Sequence, residues 1–187
     1  MEHKDFFFKQ LEEYGGSTAL VTAQEEIVTY GELTKRADLL AREIGRRCLI
    51  FLACRNAAES VIGYAACLRN NIVPVMVSAD IDAGLLENLM DRYHPAYLWA
   101  PAENGVFSGE AVYRDQGYVL KKTGLSEDYV LGEDLALLLT TSGSTGSPKL
   151  VRQTWKNIQS NTDAIIEYLG IVPEDRAITT LPMNYTY

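Results

Sequence analysis

Residues 48–77 read CLIFLACRNAAESVIGYAACLRNNIVPVMV, and this stretch contains two different apolar patterns. Its ends, Cys48 to Ala53 and Ile72 to Val77, are continuous apolar runs of strand length. Between them the apolar residues recur at helical spacing, at Ala58, Val61, Ile62, Ala65 and Leu68. A strand, a helix and a second strand in this order are typical of a βαβ unit, which predicts two parallel strands.

The same alternation continues on both sides of this stretch. Upstream, Thr29-Tyr-Gly-Glu32 fits a capping box and predicts a helix over 30–46 with an apolar stripe at Leu33, Ala37, Leu40, Ala41 and Ile44. Downstream, a helix face of Leu86, Leu89, Met90 and Tyr93 precedes a strand over 96–100. Strands that are apolar at consecutive positions need helices on both faces. The sequence therefore predicts an α/β fold with a mostly parallel sheet.

The pattern changes after residue 100. Glycines and short β-like pieces over 101–133 predict a loop or a small hairpin. Leu135 to Thr141 is then a buried strand, 149–153 alternates like another strand, and 176–181 is also expected to be a strand. Thr154 is expected to cap a helix whose apolar face is Ile158, Thr162, Ile165 and Leu169.

Composition bounds the function classes. The chain has 187 residues, 47% of them hydrophobic, and a net charge of -8, which indicates a folded protein that repels nucleic acid. The longest apolar stretch is too short to insert into a membrane. The chain has three cysteines, Cys48, Cys54 and Cys67, and they form no CxxC pair. Because an odd number cannot close a complete set of disulfides, we expect reduced thiols and a cytoplasmic protein. His3 and His94 are the only histidines, and we expect no metal site within the chain.

One segment has the composition of a phosphate-binding loop. Thr140-Thr-Ser-Gly-Ser-Thr-Gly-Ser-Pro-Lys149 contains six hydroxyl side chains, two glycines and a lysine, and it follows a buried strand. Glycines let consecutive N–H groups point at one anion, hydroxyls add donors and the lysine adds positive charge. The candidate phosphate-binding residues are Thr140, Thr141, Ser142, Gly143, Ser144, Thr145, Gly146 and Lys149. The alternative is a polar surface turn that binds nothing, and the strand context favours phosphate.

This segment resembles the phosphate-loop signature of the adenylate-forming (AMP-binding) superfamily, which includes acyl-CoA synthetases and peptide-synthetase adenylation domains. Thr29-Tyr-Gly-Glu-Leu33 is similar to an early helix start of the family, and 181–187 resembles a later segment whose aromatic residue borders the acyl pocket. Two departures are Leu150 and Trp155, where many members have glycine and histidine. The resemblance covers the chain from about residue 10 onward.

The resemblance implies a fold, an activity and cofactors. The fold would be the first subdomain of the large N-terminal domain of these enzymes, with 1–187 as the N-terminal part of an adenylation domain. The activity would be ATP- and Mg²⁺-dependent formation of an acyl-adenylate from a carboxylic acid, followed by transfer to CoA or to a carrier-protein pantetheine thiol. Tyr185 would border the acyl pocket, although a packed core tyrosine is nearly as well supported.

The resemblance also implies what the chain lacks. The family's magnesium ligand, its ribose-binding aspartate and its C-terminal catalytic lysine all follow the stretch that matches here. We therefore expect this chain to be an amino-terminal fragment that is inactive alone. No residue in it is assigned with certainty as catalytic. The alternative is a non-catalytic nucleotide-binding or interaction module derived from the same family.

Overall fold

A computed structural model of the chain describes residues 6–106, 108–125, 129–140 and 150–184. Two short 3-10 turns, Phe7–Lys9 and Leu11–Tyr14, come first. The regular elements that follow are β1 (Thr18–Val21), β2 (Ile27–Thr29), α1 (Tyr30–Ile44), β3 (Leu49–Cys54), α2 (Ala58–Arg69), β4 (Val73–Ser78), α3 (Ala83–Tyr93), β5 (Tyr97–Pro101), β6 (Glu110–Asp115), β7 (Tyr118–Lys122), β8 (Leu135–Thr140), β9 (Leu150–Thr154) and α4 (Trp155–Leu169).

The main sheet has the strand order β6-β7-β5-β3-β4-β8-β9. Its central strands are parallel: β3 pairs with β4 and β5, and β4 pairs with β8. At both sides the sheet ends in antiparallel strands, because β6 and β7 form a hairpin beside β5, and β9 runs back along β8. The predicted α/β fold with a mostly parallel sheet is confirmed, and strands β1 and β2 add a small separate antiparallel pair.

Helices cover both faces of the central strands, as consecutive apolar residues require. All six residues of β3 are buried. Alternate residues point to opposite faces, so Ile50 and Leu52 join one cluster with residues of α1 and α2. Leu49 and Phe51 join a second cluster that includes Leu86 and Leu89 of α3.

The helix starts follow the capping signals in the sequence. Thr29 Oγ1 accepts the Glu32 N–H at 3.2 Å, and Glu32 Oε2 accepts the Thr29 N–H at 2.9 Å, which completes the predicted capping box of α1. The helix ends at Ile44 because Gly45 adopts a left-handed conformation with φ 70°. Thr154 caps α4 in the same way, with Asn157 as its partner.

The expected strand over 176–181 is wrong. The chain there has no regular structure, and its residues are exposed. The backbone groups of a strand must pair with a neighbouring strand. Residues with a preference for β-strands do not by themselves provide that neighbour. The apolar face predicted for α4 is also only partly covered, since Ile158 is half-buried whereas Ile165 is 45% and Leu169 is 64% exposed.

The half-buried side chain of Arg47 helps to place β8. Arg47, just before β3, donates to the carbonyl oxygens of Asn71 at 2.7 Å, Gly132 at 2.7 Å and Leu135 at 3.0 Å. These carbonyls stand at the starts of β4 and β8. Arg47 therefore joins the amino ends of three parallel strands.

The three cysteines are free and buried. Burial raises the pKa of Cys48 to about 11 and that of Cys54 to about 12, and it raises the pKa of Cys67 as well. The thiols are therefore protonated at neutral pH and behave as small apolar side chains. Among the described residues, no helix is both long enough and apolar enough to cross a bilayer.

Helix α2 approaches the sheet closely at Gly63. A Cβ added there would lie 2.5 Å from Trp99 Cδ1 and 2.8 Å from Trp99 Nε1. The indole cannot easily move away, because it is 1% exposed and its N–H donates to the Glu59 carbonyl at 2.8 Å. The absence of a side chain at this position sets the distance between α2 and β5.

We predict that Gly63→Ala destabilises the protein, although alanine is the better helix former. Overpacking costs about 1–3 kcal/mol, which exceeds the helix-propensity gain of at most about 1 kcal/mol. The free energy of unfolding, measured in urea, should therefore fall by up to about 2 kcal/mol. Gly105→Ala is the matched control, since a Cβ there meets nothing within 4 Å. A Gly63→Ala protein as stable as the control would contradict the packing argument.

Candidate functional site

The carboxyl ends of the parallel strands lie together along one side of the sheet. We call this side the carboxyl edge; it is formed by the ends of β5, β3, β4 and β8 at Pro101, Cys54, Ser78 and Thr140. Open α/β sheets bind their ligands at this position, because loops and helix starts there leave N–H groups available. The candidate phosphate loop follows β8 and is therefore attached at this edge.

Thr140 is the one candidate phosphate-binding residue among those described. It is half-buried, and its Oγ1 donates to the Met76 carbonyl of β4 at 3.4 Å. This distance is long for a hydroxyl hydrogen bond, so the bond is weak and the hydroxyl can exchange it for another acceptor. Thr140 is the last described residue of β8; the sequence predicts this strand over 135–141, and residue 141 lies outside the described residues.

The other candidates lie outside the described residues. They are Thr141, Ser142, Gly143, Ser144, Thr145, Gly146 and Lys149 in the segment 141–149, and Tyr185 near the end of the chain. The roles assigned to them stay predictions. The structure places the two attachment points of the first segment, Thr140 of β8 and Leu150 of β9, opposite each other in an antiparallel pair.

A buried hydrogen-bond network supports the turn between β3 and α2. The Tyr118 hydroxyl donates to the Ala53 carbonyl at 3.1 Å and lies 3.0 Å from Ser60 Oγ. Because the single phenol proton is used on Ala53, Ser60 must donate to Tyr118, and Ser60 Oγ also accepts the Arg55 N–H at 3.0 Å. Burial raises the pKa of Tyr118, which keeps the phenol neutral and able to donate.

Arg55 brings a cation to the carboxyl edge, but this cation is already paired. Its guanidinium donates to Glu103 Oε1 at 2.5 Å, and the pair connects the end of β3 with the chain after β5. The hydrogen bond to Glu103 is the main reason that the pKa of Arg55 is raised. Since both side chains are substantially exposed, the pair contributes little to stability.

Asn56, the next residue, connects the carboxyl edge to the end of the chain. Its Nδ2 donates to the carbonyl oxygens of Thr179 and Leu181, both at 3.1 Å. These contacts span 123 and 125 residues of sequence. Sequence reasoning missed Asn56, because a single amide beside an arginine in a short turn carries no local signal of so distant a partner.

A cavity of about 330 Å³ lies apart from Thr140, between β2, the first turns of α1 and the β6–β7 turn. Its charged lining groups include Glu32 and Arg36. Glu32 is engaged in the α1 capping box, and Arg36 donates to Asp115 at 2.8 Å. The described residues contain no group of three or more His, Cys, Asp or Glu side chains suited to hold a metal ion.

We predict that Tyr118→Phe destabilises the protein by about 1–3 kcal/mol, because it leaves the buried Ala53 carbonyl and the Ser60 hydroxyl without their partner. Urea unfolding measures the change. Tyr168→Phe, on a side chain that is 88% exposed, is the control. In a double-mutant cycle with Ser60→Ala the two effects should not add, since the residues share one network. Additive effects would show that the network is not formed.

Comparison with known proteins agrees with this architecture. Residues 7–187 match the family described as AMP-binding enzyme. The D-alanine–D-alanyl carrier protein ligase of Bacillus licheniformis is 29% identical over 153 residues, which cover 76% of this chain and 30% of that protein. Enterobactin synthase component E of Escherichia coli is 21% identical over 199 residues, covering 91% of this chain and 37% of that protein.

Solved structures show the same fold at low sequence identity. The O-succinylbenzoate coenzyme A synthetase of Bacillus subtilis in complex with AMP superposes with a TM-score of 0.70 at 22% identity, covering 96% of this chain and 50% of that one. ATP-bound MatB of Rhodopseudomonas palustris gives a TM-score of 0.74 at 19% identity, covering 99% of this chain and 41% of that one.

The chain thus spans about a third of the length of these curated relatives and at most half of these solved chains. The match to the family nevertheless extends over nearly the whole of it, from residue 7 to residue 187. On this ground the chain belongs to the AMP-binding enzyme family.

Proposed function

We propose that this chain is the amino-terminal part of an ATP-dependent ligase that activates a carboxylic acid. A carboxylate oxygen attacks the α-phosphorus of ATP, the bond to pyrophosphate breaks, and an acyl-adenylate forms. A thiol then takes the acyl group and AMP leaves. The observation that supports this proposal best is the position of the hydroxyl- and glycine-rich segment 141–149, directly after the buried strand β8 at the carboxyl edge.

The proposed contribution of this segment is to hold the polyphosphate of ATP. Backbone N–H groups around Gly143 and Gly146 and the neighbouring hydroxyls would donate to phosphate oxygens. Lys149 would supply the positive charge, since Arg55, a cation at the carboxyl edge, is already paired with Glu103. Positioning and charge neutralisation are the main ways in which a protein lowers the barrier to attack at phosphorus.

For the molecule that accepts the acyl group, we propose only a chemical class, a thiol. The names of the matched relatives include a carrier-protein ligase and a coenzyme A synthetase, so a carrier pantetheine and CoA are both open. The described residues contain no cluster of side chains suited to hold a metal ion. The buried free thiols fit the proposed cytoplasmic location.

The exposed apolar face of α4 supports the proposal that more polypeptide completes the enzyme. Ile165, Ile166 and Leu169 are between 43% and 64% exposed, and Ile178 is 85% exposed. Apolar surfaces of this kind are usually covered in the functional protein. The matched relatives are two to three times longer than this chain, so the same polypeptide is the proposed cover.

We predict that Lys149→Ala slows adenylation about ten- to a hundred-fold in the complete ligase, because a charge-assisted hydrogen bond contributes roughly 1.5–3 kcal/mol. ATP–pyrophosphate exchange with a panel of carboxylic acids measures the rate. Lys156→Ala, an exposed lysine on α4, is the control. An unchanged rate would remove Lys149 from the site. A wild-type protein that exchanges no pyrophosphate with any acid would instead favour a non-catalytic module.

We predict that the 187-residue chain alone releases no pyrophosphate with any carboxylate. A single loop facing solvent offers ion contacts of about 1 kcal/mol or less each. Two or three such contacts correspond to an ATP affinity of about millimolar or weaker. Isothermal titration calorimetry and a pyrophosphate-release assay test this expectation. Acyl-adenylate formation by the purified chain would contradict it and would show that these residues contain a complete active site.

A further inference from the structure

The segment 179–184 is held against the carboxyl edge at two points. Asn56 donates to the carbonyl oxygens of Thr179 and Leu181, and Met183 is half-buried against the core cluster that contains residues of α1 and α2. The preceding residues, 170–178, are all exposed. The segment thus returns to the sheet after an exposed connection, and it does so where β3 ends.

The chemistry of the Asn56 contact is specific. A carboxamide NH₂ group has two hydrogens, and the two acceptors are two backbone carbonyls separated by one residue. An aspartate has nearly the same shape but no donor, and its negative charge would face both carbonyl oxygens. The interaction therefore distinguishes asparagine from aspartate, although the two side chains are nearly isosteric.

The turn that carries Asn56 is itself rigidly supported. Its neighbour Arg55 donates its N–H to the buried Ser60 hydroxyl, which is bonded in turn to Tyr118. Ser60 is 1% and Tyr118 is 3% exposed. Asn56 is thus an anchor of fixed position for a segment that is otherwise exposed over 170–181.

We propose that Asn56 is a positioning residue that makes segment 179–184 a wall of the carboxylate-binding site. This inference rests on the proposed function. Strand β3 is two strands away from β8 in the order β3-β4-β8, which at about 4.8 Å per strand is about 10 Å. A carboxylic acid that attacks a phosphate bound after β8 would have to extend about this distance along the carboxyl edge to reach the end of β3. Segment 179–184 lies there because Asn56 holds it.

The tether is tested first without any activity measurement. In the 187-residue chain, Asn56→Asp should speed amide hydrogen exchange over 179–184 and leave exchange in the sheet unchanged. The urea midpoint should not fall, because an acidic side chain just before α2 favours the start of that helix. Asn161→Asp is the control, since it makes the same chemical change at an exposed position of α4. Unchanged exchange over 179–184 overturns the tether.

The role in substrate binding is tested in the complete ligase. We expect Asn56→Asp to raise the KM for the carboxylic acid about ten-fold, the equivalent of losing one or two hydrogen bonds, and to change the KM for ATP less than two-fold. The Asn161→Asp enzyme should have wild-type constants. An equal rise in both KM values, or no rise for the acid despite faster exchange, overturns the positioning role.

The two proposals fail in different ways. If the wild-type ligase activates no carboxylic acid, the proposed function fails, whereas the exchange experiment still decides whether Asn56 holds segment 179–184. If the wild type is active and Asn56→Asp has unchanged constants for the acid, the proposed function stands and the role assigned to Asn56 is wrong.

Discussion

The pairing of β3 with β4 on one side and β5 on the other is the interaction on which the rest of the structure depends. The six residues of β3 are buried on both faces, so their backbone N–H and C=O groups are cut off from water and must find partners in neighbouring strands. The parallel direction of both pairs then requires a helical crossover after each strand. The helices α2 and α3 are these crossovers, and they supply the apolar cover that β3 needs.

The same constraint creates the carboxyl edge. Parallel strands end on the same side, so the chain leaves β3, β4, β5 and β8 within one narrow region. The turn after β3 is then fixed by the Tyr118 and Ser60 hydroxyls, which come from β7 and α2. The hairpin of β6 and β7 is therefore more than an extension of the sheet. It supplies the buried phenol that supports the turn carrying Arg55 and Asn56.

Burial is uneven along the chain. The central strands and the helices α1 to α3 form complete clusters, whereas α4 and the residues after it leave large apolar side chains exposed. Trp155 at the start of α4 is buried against Phe6, with ring centroids 5.0 Å apart, so the helix is anchored at its beginning only. A segment of polypeptide that covered α4 and the residues after it would bury apolar side chains in the part of this chain that is least buried.

The sequence by itself determined the elements whose signals are local. Capping signals at Thr29 and Thr154, apolar periodicity in α1 to α3 and continuous apolar runs in β3, β4 and β8 predict those elements, because these signals depend on neighbours a few positions away. The bounds predicted for α1, β3, β4 and β8 lie within two residues of the observed ones. The sequence also identified the family from residues 141–149, whose order of hydroxyls and glycines suits a phosphate.

The sequence could not identify the contacts between distant parts of the chain. The strand expected over 176–181 is absent because no partner strand lies beside it, and Asn56 contacts carbonyl groups more than 120 residues away. Only the tertiary structure decided these points, because pairing and tethering need two segments to meet in space, whereas local patterns describe each segment alone.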